Sequence, residues 1–276
     1  MKIYDYNKSI PENLRLHEEE DFKYIDSCKN SELPPIIFLH GLLGYTDCWY
    51  DAASAASVSG YRAIIPSIPI DSMPLKDTNI QGIVNFLSSF LDYMNLDQIV
   101  LVGNSLGGQI AVRYASLNLD SIAGLLLSGS SGIYEMELGK TAFRRKDRDY
   151  IRAKAEMTFY NPKMVNDDLI DRIFSISTDR SRAIRYIRAS KNSMNDLIVD
   201  ELQNLEMPAL LIWGIEDQIT PADVALEFHK LLPNAKLQFI KQCGHAPMME
   251  YPEVFNKLMV NYLDCTLKDS LTLVEI

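Results

Sequence analysis

Ile99-Val100-Leu101-Val102-Gly103-Asn104-Ser105-Leu106-Gly107-Gly108 is the stretch that decides the fold. Its first four residues are apolar and mostly β-branched, as in a strand buried on both faces. From Leu106 to Leu117 the pattern turns amphipathic and helical. The serine therefore sits at a sharp strand-to-helix turn, in a strained backbone conformation. Small residues two before and two after it leave room for that turn, hence Gly103 and Gly107. Gly108 lets the new helix pack closely on the neighbouring strands. A G-x-S-x-G in this context is the signature of a nucleophile elbow. The helix N-terminus beneath the serine favours negative charge nearby.

Outward from this turn the same grammar repeats. Apolar runs at 36–39, 63–65, 99–102, 124–127, 209–213 and 237–240 read as buried strands of a parallel sheet. Helices are expected at 47–57, 80–94, 106–117, 222–231 and 252–263, with Asp47 and Thr220 as N-caps. Strand and helix in alternation predict a doubly wound, mostly parallel α/β sheet with right-handed crossovers. A small antiparallel pair is expected before Ile36. The interval 132–205 breaks the rhythm: it has no strand signal and two helical stripes. One is Leu169, Ile170, Ile173 and Phe174; the other is Ile184, Ile187, Met194, Leu197 and Ile198. We expect a core domain of residues 1–131 and 206–276, with a helical cap inserted at 132–205.

Three further motifs follow expected strands. His40-Gly41-Leu42-Leu43-Gly44 follows the first. Acyl transfer creates an oxyanion that preorganised N–H groups must meet. The backbone amides of Leu42 and of Leu106, just after the serine, are the expected donors. His40 reads as a structural histidine bonding that loop. Asp217, in Trp213-Gly214-Ile215-Glu216-Asp217, is placed to accept the Nδ1–H of a histidine and fix its tautomer, with Glu216 as the rival acid. In Cys243-Gly244-His245, the glycine permits a tight loop that brings His245 over the sheet edge as general base. Cys243 has no elbow of its own and reads as a buried structural thiol. The chain order is Ser105, Asp217, His245, each at the carboxyl end of an expected strand, where open α/β sheets gather ligands.

The 276 residues carry a net charge of −10, which argues against nucleic acid as a partner. The charge is uneven: residues 140–191 hold 14 Lys and Arg against 7 Asp and Glu, a basic unit within an acidic chain. The N-terminus is interrupted by charge and resembles neither a secretory signal nor a transit peptide, and no apolar run reaches membrane-spanning length. Cys28, Cys48, Cys243 and Cys265 fall in no CxxC pair or zinc-like spacing, as in free thiols of a reducing compartment. The expected setting is the cytoplasm, with a small-molecule substrate, no cofactor, no metal and no membrane partner.

On these motifs the chain resembles the α/β-hydrolase superfamily, from residue 36 to 263 apart from 132–205. The resemblance implies Ser105 as nucleophile, His245 as base, Asp217 as acid, and Leu42 and Leu106 as oxyanion donors. Gly103–Gly108 is similar to the motif of small-molecule esterases and of carbon–carbon bond hydrolases of aromatic ring-cleavage pathways. The glycine-richer oxyanion loop of the latter and their tryptophan after the histidine are absent; this chain has HGLLG and His245-Ala246-Pro247. The segment Pro66–Asp71 lacks the aspartate and glycine pair of many relatives. The expected activity is hydrolysis of a small carboxylic ester through an acyl-enzyme. The alternatives are carbon–carbon bond hydrolysis and a non-catalytic ligand sensor on the same fold. Arg182, Arg185 and Arg188 recur every third residue; they form either a solvated face or a carboxylate-binding site in the cleft.

Overall fold

The computed structural model describes residues 5–6, 8–19, 21–136 and 146–268. Eight strands form one sheet: β1 (Arg15–Glu18), β2 (Lys23–Asp26), β3 (Ile36–Leu39), β4 (Ala63–Pro66), β5 (Ile99–Asn104), β6 (Ile122–Ser128), β7 (Ala209–Gly214) and β8 (Ala235–Ile240). Their spatial order is β1-β2-β4-β3-β5-β6-β7-β8. β3 to β8 are parallel, while β1 and β2 form the antiparallel pair at one edge, β2 running against β4. This is the doubly wound sheet that the sequence predicts.

The continuous apolar runs exist because the central strands are covered on both faces. Ile36, Phe38, Val100, Val102, Leu210 and Ile212 point into one core. Their chain neighbours Ile37, Leu39, Leu101, Leu211 and Trp213 point into the other. The first core is closed by α1 (Tyr50–Val58) and α10 (Pro252–Leu263). The second is closed by α2 (Ile80–Tyr93), α3 (Leu106–Leu117) and α8 (Ala222–Leu231). Each fully buried aliphatic or Phe side chain stabilises by about 1.5–3 kcal/mol. Phe38, packed on Trp49 at 5.4 Å between ring centroids, is a central example.

Between β6 and β7 the described residues hold α4 (Arg148–Glu156), α5 (Asp167–Thr178), α6 (Arg180–Asn195) and α7 (Val199–Leu202), with no strand among them. On α5, Ile170 is buried and Leu169, Ile173 and Phe174 pack beside it. The stripe expected on α6 runs the other way. Ile184, Ile187 and Met194 are 36–45% exposed, and Leu197 just beyond is exposed too. The buried face of α6 is small instead, with Ala183, Ala189 and Ser193, and only Ile198 of the second stripe is in the core. The Gln109 side chain of α3 reaches this face, its Nε2 donating to the Ser193 carbonyl at 3.0 Å.

Part of the basic excess goes into ion pairs with acids outside the segment. Arg182 reaches Asp71 at 2.8 and 3.1 Å, and Arg172 reaches Asp47 at 2.6 Å. Neither expected N-cap serves as one. Asp47 is taken by Arg172, and Thr220 turns its hydroxyl to Asp217, leaving α8 without a side-chain cap.

Candidate active site

The sheet order reverses between β3 and β5, because the chain leaves β3 toward β4 on one side and returns to β5 on the other. A crevice opens at such a switch point. The His40–Gly44 loop and the elbow meet there: a Cβ on Gly41 would lie 3.2 Å from the Ser105 Cβ. Ser105 has φ +55° and ψ −123°, a region costly for a residue with a Cβ. Local packing enforces it. A Cβ at Gly103 would lie 2.4 Å from the Gly107 carbonyl oxygen, and one at Gly107 only 2.1 Å from that of Leu39. Although Ser105 occupies the N-cap of α3, its side chain makes no cap bond, so the hydroxyl stays with the crevice. The Ser105 Oγ lies 3.5 Å from the Ser131 Oγ.

His245 and Asp217 come together from the loops after β8 and β7. His245 Nδ1 donates to Asp217 Oδ2 at 2.8 Å, and both residues are buried, at 6% and 4% exposed. The carboxylate is itself held. Its Oδ1 accepts the N–H of Ile219 and of Thr220, at 2.8 and 3.0 Å. Thr220 Oγ1 donates to Oδ2 at 2.9 Å and lies 3.2 Å from the imidazole. Burial alone lowers the His245 pKa, but the Asp217 charge and hydrogen bond, with Glu135 adding, outweigh it, so the imidazole ends above its ordinary value. Asn104 Nδ2 ties the elbow to this loop, donating to the carbonyls of Ser128 and His245 at 2.8 and 2.9 Å.

The rivals are occupied elsewhere. Glu216 accepts the Cys243 N–H at 3.0 Å. His40 accepts the Ile68 N–H at Nε2, which leaves Nδ1 to donate to the Gly41 carbonyl at 2.8 Å; burial lowers its pKa and keeps it neutral. Cys243 is buried, and burial pushes its thiol well up, away from the reactive thiolate. All four cysteines are free thiols. Sequence reasoning missed two groups at the site: Thr220, expected as an N-cap, holds Asp217 instead, and Glu250, a buried carboxylate taken up below, had no sequence signal.

Ser105 and His245 open into one cavity of about 810 Å³, which Leu42 and Leu106 also line. α4, α5 and α6 form its far wall through residues such as Ile151, Ile173 and Tyr186, with Phe159 from the segment after α4. Arg182, Arg185 and Arg188 do not line it. Arg185 Nε instead donates to the Met73 carbonyl at 2.8 Å, so this arginine and Arg182 bind the 66–73 loop, while Arg188 is exposed. Among the described residues, the cations on the cavity wall are Lys154, Arg172 and Lys191. Among the described residues no group of three or more His, Cys, Asp and Glu could hold a metal ion. No helix among them is long and apolar enough to cross a membrane.

The chain has informative relatives. It is 24% identical over 223 residues to a 2-hydroxy-6-oxononadienedioate/2-hydroxy-6-oxononatrienedioate hydrolase of Cupriavidus pinatubonensis, covering 74% of this chain and 77% of the relative. An α/β hydrolase enzyme from a sediment metagenome of the Mar Chica lagoon superposes with a TM-score of 0.73 at 28% identity, over 91% of this chain and 98% of that one. A meta-cleavage product hydrolase of Pseudomonas fluorescens does so with a TM-score of 0.72 at 20% identity, over 88% and 94%. The profile of the alpha/beta hydrolase family matches residues 36–258, and with the elbow, the sheet order and the loop positions described above it places this chain in that family.

Proposed function

We propose that this hydrolase cleaves a carbon–carbon bond beside a carbonyl, in a linear oxo-dienoic acid of the kind its relatives are named for. Ser105, His245 and Asp217 serve as the triad, and α4–α7 act as the cap that closes the site. The observation that carries the catalytic reading is the buried His245–Asp217 pair, whose imidazole lines the same cavity as the strained Ser105. The relatives' names favour carbon–carbon over simple ester cleavage, which the elbow alone suggests first.

In this reading substrate binding draws the Ser105 hydroxyl from Ser131 onto the imidazole, since catalytic hydrogen bonds tighten in the substrate complex. His245 Nε2 takes the hydroxyl proton as Oγ attacks the carbonyl carbon. The N–H groups of Leu42 and Leu106 donate to the oxyanion. The substrate reacts as its 2-oxo tautomer, in which the enol proton has moved to the carbon beside the ketone. Collapse breaks the bond to that saturated carbon, whose electron pair spreads into the 2-oxo-enoate, and the resulting dienolate takes the proton from His245. Water, deprotonated by the same imidazole, then releases the acyl group as a carboxylic acid and restores the serine. Asp217 fixes the Nδ1–H tautomer and stabilises the imidazolium throughout.

A second reading, hydrolysis of a small carboxylic ester, is favoured by two residue patterns, HGLLG in the oxyanion loop and His245-Ala246. One comparison separates them. kcat/KM is measured for 2-hydroxy-6-oxononadienedioate and for p-nitrophenyl esters of graded chain length. Faster carbon–carbon cleavage, abolished in Ser105→Ala, supports the first reading. Rapid ester turnover with no cleavage of the dienoate gives the second. Ligand-induced stabilisation with no product from either would indicate a sensor.

A further inference from the structure

We infer that Glu250 is a positioning residue for His245: its buried carboxylate locks the backbone leading into the imidazole to the 158–161 segment between α4 and α5. The inference rests on the triad reading above. Glu250 ends the one-turn helix α9 (Pro247–Glu250) and is 3% exposed. No cation pairs with it among the described residues. A buried carboxylate without partners is costly, and here backbone N–H groups from two separate segments meet it. Gly244 N–H donates to Oε1 at 2.7 Å. The N–H groups of Tyr160 and Asn161 donate to Oε2 at 3.0 and 3.2 Å. Hydrogen bonds to an ionised acceptor are about twice as strong as neutral ones. One oxygen therefore holds the histidine loop and the other holds the segment above it.

Two further contacts make the junction a tight one. His245 N–H donates to the Thr158 carbonyl at 2.8 Å. Gly244 is pressed so closely on this segment that a Cβ would lie 2.7 Å from Thr158 O and 2.8 Å from Tyr160 N. On its other side His245 is tied to the elbow through Asn104, and its ring is tied to Asp217. The histidine backbone is thus clamped between the serine turn and the 158–161 segment, and Glu250 is a charged group that bridges the latter junction. It does not line the cavity. Its effect on catalysis runs through where His245 sits when α4 and α5 are docked.

A carboxylate can accept on both sides, whereas a carboxamide has one oxygen and one NH2 group. In Glu250→Gln one of the two donor sets must therefore face another donor, although shape and volume are kept. The test is active-site titration with a fluorophosphonate, followed by kcat and KM per titrated site on a small p-nitrophenyl ester. A misplacement of about 1 Å costs about 100-fold in rate, so kcat per titrated site should fall by about that factor while KM stays near wild type. A purely structural role would lower the titratable fraction or the melting temperature and leave kcat per site alone; that result overturns the inference. So does a rise in KM at constant kcat, which would mean that Glu250 only shapes the cap. If Glu250→Gln does not fold, Glu250→Asp keeps the charge and withdraws the oxygens by one methylene. The same fall in kcat per site is expected, and a wild-type value overturns the inference. Failure of the wild-type enzyme to label at Ser105 would strike the triad reading itself, and is distinguishable because it precedes any comparison of variants.

Discussion

Replacing Asp217 by Asn changes one atom, yet the surrounding bonds dictate a large effect. The two N–H groups of Ile219 and Thr220, at 2.8 and 3.0 Å, both require an acceptor. The amide oxygen must therefore stay at the Oδ1 position, which puts the NH2 group where Oδ2 now meets His245 Nδ1 at 2.8 Å. Two donors cannot face each other. The imidazole then changes tautomer, with Nδ1 accepting and Nε2 carrying the hydrogen. An Nε2–H cannot take the serine proton, and the imidazolium also loses its counter-charge. In a triad this change lowers kcat by about 10⁴-fold, which corresponds to about 5.5 kcal/mol of transition-state stabilisation. KM and the melting temperature should change little, because the site stays filled by an isosteric group. Stopped-flow turnover of a p-nitrophenyl ester, with circular dichroism for the fold, measures both. A loss of less than tenfold in a folded Asp217→Asn variant would refute the assignment. A larger loss in Glu216→Gln would move the acid to a residue whose carboxylate is engaged with the Cys243 N–H.

Other consequences are quickly stated. His245 must be neutral to act as base, and its pKa is raised, so kcat/KM should fall as pH drops through a value above the ordinary histidine value of about 6.5; an acid limb at or below that value would mean that Asp217 does not dominate the ring's environment. Cys243→Ala should leave turnover nearly unchanged, and a large loss at unchanged stability would give the thiol a chemical role. Gly107→Ala forces a Cβ to within 2.1 Å of the Leu39 carbonyl, so stability should drop by about 1–3 kcal/mol as in an overpacked core; an unchanged denaturation midpoint would show a looser elbow. Arg182→Gln breaks a partly exposed pair with Asp71, worth about 1 kcal/mol or less. It should treat matched neutral and anionic esters alike, and a selective rise in KM for the anionic ester would return this arginine to the cleft.

Those parts of the molecule with a local cause were legible in the sequence. Gly103 and Gly107 flank Ser105 because the turn is steric, and sterics act within a few residues. The central strands announce themselves because a strand covered on both faces needs apolar residues throughout. β8 shows the limit: it lies at the sheet edge, pairs only with β7 and exposes much of its length, so its expected start at 237 falls two residues late. The α6 stripe misled for a related reason. Periodicity says that a helix has two faces, but only tertiary packing says which one is buried, and here Ala183, Ala189 and Ser193 face inward. Thr220 read as a cap because the local pattern suits one; its hydroxyl was taken by the Asp217 carboxylate three residues earlier in the same loop. Glu250 was invisible because its partners are backbone groups, which leave no mark on sequence, and two of the three lie about 90 residues away in the chain.

The account turns on Ser105 as the nucleophile, and the most direct measurement is to map a fluorophosphonate adduct by mass spectrometry while following the loss of hydrolysis. Ser131 is the informative control, since its hydroxyl lies 3.5 Å from that of Ser105. The account predicts one adduct, on Ser105, formed in proportion to lost activity and absent in Ser105→Ala. An adduct on Ser131, or full hydrolysis by protein stoichiometrically labelled at Ser105, would contradict it.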